Sequence, residues 1–260
     1  KIMKTLIIIP SRLSATRLPG KPLLKINGLS IISHVFKKAI DANIGEVYVA
    51  TEDQEIVDDV RHNGGQAIMT SKNHKTGTDR IYEALNNIGK SDIELIMNLQ
   101  GDEPLMNLED IRNLHNQMII TKSRLGTLAS NISDKNLFSD PNVVKVVTEK
   151  SLKNSKFPLA LSFTRNLNNI RENTYHHLGI YCYQIETLKK FVFLEQTQNE
   201  IKNKLEQLRA LDNNITINVS LAKDSPIGID TEKDFVAIKK IMEYKSEWVK
   251  YIFKGFLELI

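Results

Sequence analysis

Arg12, Arg17 and Lys21 lie in the stretch Pro10 to Pro22, directly after the apolar run Leu6 to Ile9. The prolines and small residues of this stretch resist helix formation, so it reads as a loop at the carboxyl end of a buried strand. Loops in that position bind ligands in α/β sheets. A bent loop lets the three cations converge on one polyanion, and backbone N–H groups freed from regular structure donate to its oxygens. A triphosphate is the natural ligand for such a loop, while a merely solvated basic loop is the plainer reading. The turn Pro19-Gly20-Lys21-Pro22 favours the first, because a rigid turn aims its lysine. A second group, Asn98-Leu99-Gln100-Gly101-Asp102-Glu103-Pro104, follows the apolar run Leu95 to Leu99 and delivers a carboxylate, Asp102, at another strand end. Magnesium takes one or two carboxylates and fills its shell with water and phosphate oxygen, so Asp102 needs at most one partner. Asp230 is the candidate. Capping of the last helix by Asp230 or Thr231, with Thr231 and Asp234 as a capping box, accounts for the same residues equally well.

The elements that must carry these groups alternate. Leu6 to Ile9, Val47 to Ala50 and Leu95 to Leu99 read as buried strands. Between them Ile31, Ile32, Val35, Phe36 and Ile40, then Ile56, Val57 and Val60, and later Ile111, Leu114 and Met118 recur at helical spacing. This is an α/β pattern with a mostly parallel sheet. Further on, Gly126 to Ile132, Val143 to Thr148, Leu159 to Thr164, Leu178 to Tyr183 and Ile215 to Leu221 are strand candidates with fewer helices between them, which predicts a mixed sheet or a smaller β-rich lobe. One helix with a single apolar face is predicted over Glu200 to Asn213, and a last helix from near Asp230. The chain of 260 residues, 41% hydrophobic and 25% charged with a net charge of +4, is a globular composition long enough for a sizeable core.

Several chemistries lack their carriers. Ala15 stands where a Walker A loop needs its first glycine, Pro22 follows the lysine in place of Ser or Thr, and no G-x-G-x-x-G occurs. A single cysteine, Cys182, excludes an intrachain disulfide and fits a reducing cytoplasm. It reads as a buried, inert thiol. Adjacent strand residues point to opposite faces, so His176 and His177 do not grip one metal ion together. Basic residues are scattered, which argues against nucleic acid. No run is long enough to span a membrane, and the run ending at Pro10 is too short for a signal sequence.

The segments Arg12 to Pro22, Thr76-Gly77-Thr78-Asp79-Arg80, Asn98 to Pro104, Asn142 to Val147, His177 to Tyr181, Leu205 to Arg209 and Gly228 to Thr231 follow one another as in the 3-deoxy-manno-octulosonate cytidylyltransferase (CMP-Kdo synthetase) family. The resemblance runs from about Leu6 to Met242. It implies a Rossmann-like, three-layer nucleotide-diphosphosugar transferase fold and a cytoplasmic, homodimeric, magnesium-dependent enzyme of lipopolysaccharide biosynthesis. Such an enzyme converts CTP and Kdo to CMP-Kdo and pyrophosphate. By the same resemblance Arg12, Arg17, Lys21 and Asp102 would be the catalytic set. CTP would be bound by Pro10, Ser11, Arg12, Lys21, Thr76, Gly77, Thr78, Arg80, Gln100 and Asp102, and magnesium by Asp102 and Asp230. Gln100, Arg165, His177, Tyr181, Glu206 and Gln207 would line the acid-sugar pocket, with Arg209 supporting it.

The chain departs from the family pattern at Asp79 (usually Glu), Cys182 (a small Gly) and Gln184 (Arg), and the segment Asn166 to Tyr175 is shorter than usual. These departures bear on the sugar side more than the nucleotide side. A related acid sugar, such as an amino-Kdo or sialic acid, and a catalytically silent nucleotide-binding protein are the other readings. The organisation expected is one nucleotidyltransferase domain over 1–245, with a nucleotide half of about 1–130 and a sugar and dimer half of about 131–230. An amphipathic extension follows over 246–260. Its stripe of Trp248, Val249, Ile252, Phe253, Phe256, Leu257 and Ile260 would pack on the core or dimer mate, or touch a membrane surface.

Overall fold

The structure, a computed structural model, describes residues 3–14, 17–132, 134, 136–166, 172–225 and 228–257, with side chains as far as Lys245. Its strands are β1 (Thr5–Ser11), β2 (Lys25–Ile26), β3 (Leu29–Ser30), β4 (Glu46–Thr51), β5 (Ala67–Met69), β6 (Leu95–Asn98), β7 (Leu125–Ser130), β8 (Lys145–Thr148), β9 (Ala160–Thr164), β10 (Thr174–Gln184) and β11 (Asn218–Leu221). The helices are α1 (Ile31–Ala42), α2 (Gln54–His62), α3 (Gly77–Ile88), α4 (Leu108–Thr121), α5 (Asn136–Ser139), α6 (Ile185–Val192), α7 (Gln198–Asn203), α8 (Gln207–Asp212) and α9 (Glu232–Leu257).

Strand β1 is the reason the sheet has two covered faces. Its side chains alternate in direction, and every one from Leu6 to Ile9 is fully buried. Ile7 and Ile9 join a core with the apolar faces of α1, α2 and α4, whereas Leu6 and Ile8 join another with α3, α6 and α8. Each such side chain contributes about 1.5–3 kcal/mol by leaving water. The result is helix, sheet, helix, in three layers.

The sheet runs in the order β11-β7-β10-β6-β1-β4-β5, with β8 paired to β10 and β9 to β8. Parallel pairing holds for β6-β1-β4-β5 and for β11-β7. Strand β10 is antiparallel to β6, β7 and β8, so the sheet is mixed, and β8, β9 and the first part of β10 form the β-rich lobe. Because β1 and β6 are parallel neighbours, Ser11 and the Gln100 to Asp102 turn emerge at the same sheet edge. A separate cluster of Ile26, Ile31, Ile229 and Ile238 pins the start of α9 beside the Lys21 turn.

One expectation is corrected. The helix predicted over Glu200 to Asn213 is two helices, since Lys204 adopts a left-handed conformation (φ 52) that ends α7. The break lets Leu205 enter the core and brings Arg209 back onto Glu200. The last helix begins at Glu232, near Asp230 as expected, and Thr231 and Asp234 form the reciprocal bonds of a capping box. The five strand candidates of the second half are present with shifted ends, β8, β9 and β11 starting later than expected and β10 running from Thr174 to Gln184 beyond the expected Leu178 to Tyr183, while α6 and the β2-β3 hairpin carry too few residues of one period to be read from sequence. The side chains of the stripe from Trp248 onward lie outside the described residues.

Candidate active site

A cavity of about 430 Å³ opens at the carboxyl edge of β1 and β6. Gly20, at φ 71, turns the chain so that Pro22 is buried and Lys21 points inward. The Lys21 ammonium reaches Asp102 Oδ2 at 2.5 Å, the Ile229 carbonyl at 2.7 Å and Asp230 Oδ1 at 3.3 Å. Arg17 reaches the other oxygen of Asp230 at 2.9 Å. Two carboxylates from distant parts of the chain therefore face the cations of one loop, and Arg12 lines the same cavity from an exposed position. Asp230 serves the cavity while its neighbours Thr231 and Asp234 cap α9, so the two sequence readings of this segment fall on adjacent residues.

Behind Asp102, Glu103 is a residue that sequence reasoning missed. Its Oε2 is buried with no hydrogen-bond partner among the described residues. Burial, then the charges of Asp102 and Asp230, push its carboxyl up to about 8, against the pull of Lys21. Nothing in the residue type announced this, because a Glu next to an Asp does not reveal which of the two faces water.

The opposite wall is the start of α3. Thr76 accepts a bond from the Asp79 N–H while Asp79 accepts from the Thr76 N–H, so the Asp that replaces the family's Glu still closes the capping box. Free N–H groups at such a helix start suit an anion or a polar base edge. Thr76, Gly77 and Arg80 line the cavity, together with Pro10, Ser11 and Gln100. The Arg80 guanidinium is 4% exposed and engaged by Glu52, Thr70 and Ser71, so it builds the wall rather than offering a free charge. Thr78 is turned inward. His74 and Lys75 also line the cavity and were not foreseen; His74 is held by Glu83 nine residues on, a spacing with no helical or strand signature.

Of the residues assigned to the acid sugar, Gln100 lines this cavity, His177 packs on Tyr181, and Glu206 reaches Thr76 at the cavity wall. The Gln100 amide donates to the Gly179 carbonyl at 2.6 Å, where β10 slips register. His177 is buried against Phe163 and Tyr181 and bonded to Thr127. Burial lowers its pKa to about 3, so its ring is neutral. Burial likewise holds the Tyr181 phenol in its protonated form. The Glu206 carboxyl is raised by burial despite the hydroxyls of Thr76 and Thr78 and the charge of Arg209, which places it against the start of α3. Gln207 is buried next to it. Arg209 grips Glu200 with two bonds of 2.8 and 2.6 Å and lies over the Phe191 ring, a supporting part. Arg165 donates to the carbonyls of Pro141, Asn203 and Lys204. Cys182 is wholly buried, and its thiol is pushed up by that burial.

A family model described as Cytidylyltransferase matches residues 6–217. A protein of Afipia carboxidovorans named 3-deoxy-manno-octulosonate cytidylyltransferase is 41% identical over 92% of this chain and 96% of its own length. One of the same name from Thermodesulfovibrio yellowstonii is 40% identical over 94% and 100%. Among solved structures, CMP:2-keto-3-deoxy-manno-octonic acid synthetase complexed with CTP superposes with a TM-score of 0.84 at 33% identity, over 93% of this chain and 99% of that one. A cytidylyltransferase from Leptospira borgpetersenii, 18% identical with a TM-score of 0.60 over 93% and 87%, shares the fold.

Proposed function

The chain belongs to the cytidylyltransferase family, and on that premise we propose that it transfers CMP from CTP to the anomeric hydroxyl of 3-deoxy-D-manno-octulosonate, giving CMP-Kdo and pyrophosphate. The observation that carries this reading is the meeting of Arg12, Arg17 and Lys21 with Asp102 and Asp230 in one cavity walled by the start of α3.

In the reaction the sugar hydroxyl oxygen forms a bond to the α-phosphorus, and the bond from that phosphorus to the β-phosphate oxygen breaks. Pyrophosphate leaves with the electron pair, and the hydroxyl proton is lost. Arg12, Arg17 and Lys21 grip the triphosphate and neutralise its charge, which orients the leaving group in line with the attacking oxygen. Pro10, Ser11 and Thr76 to Arg80 border the cytosine. Gln100, Arg165, His177, Tyr181, Glu206 and Gln207 hold the acid sugar, with Arg209 and Glu200 stiffening the turn that presents Glu206. A neutral His177 offers the sugar hydrogen bonds without adding charge.

A magnesium ion fits the carboxylate pair. One ammonium already finds two carboxylate oxygens and a backbone carbonyl within reach there, an all-oxygen donor set of the kind that hard cations take. Asp102 and Asp230 would hold the ion, which when bound supplies positive charge to the phosphates and to the developing alkoxide. The same reading includes a homodimer in the cytoplasm, with a nucleotide half of about 1–130 and a sugar half of about 131–230.

Mass spectrometry of the product formed from CTP, magnesium and Kdo tests the proposal. A CMP ester of Kdo is expected; CMP alone, or a CMP ester formed only from a different acid sugar, would overturn it.

A further inference from the structure

Lys145 is the first residue of β8, with its side chain wholly buried. Lysine is almost never fully buried without a partner, and moving an ammonium out of water costs several kcal/mol even after relaxation. An aliphatic residue would hold this strand at lower cost. The bonds that Lys145 makes go to neutral groups, the carbonyls of Asp140 at 2.6 Å and of Arg165 at 2.7 Å. The first belongs to the turn before β8 and the second to the residue just after β9, so one ammonium ties that turn to the point where the β8-β9 ladder ends at the Lys145 and Thr164 pair.

What it ties is the backbone of an arginine assigned to the sugar pocket. Arg165 uses its Nε, Nη1 and Nη2 on the carbonyls of Asn203 (3.3 Å), Pro141 (3.1 Å) and Lys204 (3.3 Å). A guanidinium has five N–H groups, so two remain for another acceptor. Asn203 and Lys204 form the turn that leads into Glu206 and Gln207. Across the sheet Lys145 pairs with His176, and the His177 N–H donates to the carbonyl of Val144. One buried cation is therefore linked, directly or through Arg165, to the segments that carry Arg165, His177 and Glu206.

We propose that Lys145 is a positioning residue of the acid-sugar pocket, fixing the main chain of Arg165 so that its two remaining N–H groups meet the sugar carboxylate. This rests on the proposed function and adds a residue to it. Lysine at this position acts without touching substrate, and its removal loosens the sugar side while leaving the nucleotide cavity on the other side of Gln100 intact.

The test is steady-state kinetics of the full chain carrying Lys145→Met, which keeps the volume and removes the donors. KM for Kdo is expected to rise about tenfold, the effect of losing bonds from a charged group, with KM for CTP unchanged. In an Arg165→Gln background the same substitution is expected to add nothing further. Equal rises in both KM values, an additive effect with Arg165→Gln, or no change would each overturn the inference. A CTP-induced thermal shift reports folding; should Lys145→Met fail it, Lys145→Gln, which retains one donating amide, is judged by the same split. A wild-type chain without Kdo-dependent turnover would instead refute the proposed function and this inference with it.

Discussion

Lys21 places one ammonium among three oxygens that belong to Asp102, Asp230 and Ile229, and this arrangement sets what single substitutions do. Asp102→Asn preserves shape and one acceptor but removes the charge that would hold a divalent cation against the phosphates. Pyrophosphate release at saturating magnesium is expected to fall by about 100-fold or more with an unchanged circular dichroism spectrum. An undiminished rate at limiting magnesium would remove Asp102 from the ligand role. His177 carries a separate, pH-dependent expectation. Its folded pKa of about 3 lies below the ordinary 6.5, so between those values the unfolded chain binds a proton that the folded chain does not. Stability is thus lost as pH falls from 6.5 toward 3. Replacing it, as in His177→Gln, is expected to make the fall between pH 6 and pH 4 shallower by about 1.4 kcal/mol per pH unit, measured by urea unfolding. The lowered pKa of the adjacent His176 has the same sign and is common to both proteins, so it cancels in the comparison. Arg12, Arg17, Lys21 and Asp102 were legible in the sequence because they follow strand ends. Glu103 and Lys145 were not, since their roles come from burial, which residue type does not encode.

At the scale of elements, the start of β4 depends on a close approach. A Cβ at Gly45 would overlap the carbonyl oxygen of Thr5, a backbone atom at the beginning of β1 that has no rotamer through which to move away. Gly45→Ala is expected to cost about 3 kcal/mol, read as a lower denaturant midpoint with an unchanged slope; a loss within 0.5 kcal/mol, the size of an ordinary surface change, would show that β1 and β4 can part without penalty. Periodicity located most elements correctly, since β1, β4, β6 and helices α1, α2 and α4 have long, regular apolar patterns. It failed over Glu200 to Asn213, where Ile201, Leu205, Leu208 and Leu211 keep helical spacing across a break. Ile201 is in fact 52% exposed, and the Lys204 turn redirects the following helix. The break is a tertiary effect, held by Arg209 on Glu200 and by Arg165 on the Asn203 and Lys204 carbonyls. It is also what brings Glu206 to the start of α3.

At the scale of the molecule, one mixed sheet spans both sides of the site. Parallel strands β1 and β6 deliver the loop cations and Asp102, and antiparallel β10 carries His177 and Tyr181 past them, with Gln100 bonded to Gly179 between. The third cluster, around Ile229 and Ile238, holds Asp230 in place from the far end of the chain. No helix of the described residues is long and apolar enough to cross a membrane. Together these parts join CTP to an acid sugar. The most direct measurement is pyrophosphate release by the purified full chain with CTP and magnesium, in the presence of Kdo, of sialic acid, or of no sugar, with EDTA as control. Release that requires both Kdo and metal is the expected result. Release driven by sialic acid instead of Kdo, or silence with every sugar despite CTP binding, would contradict the account.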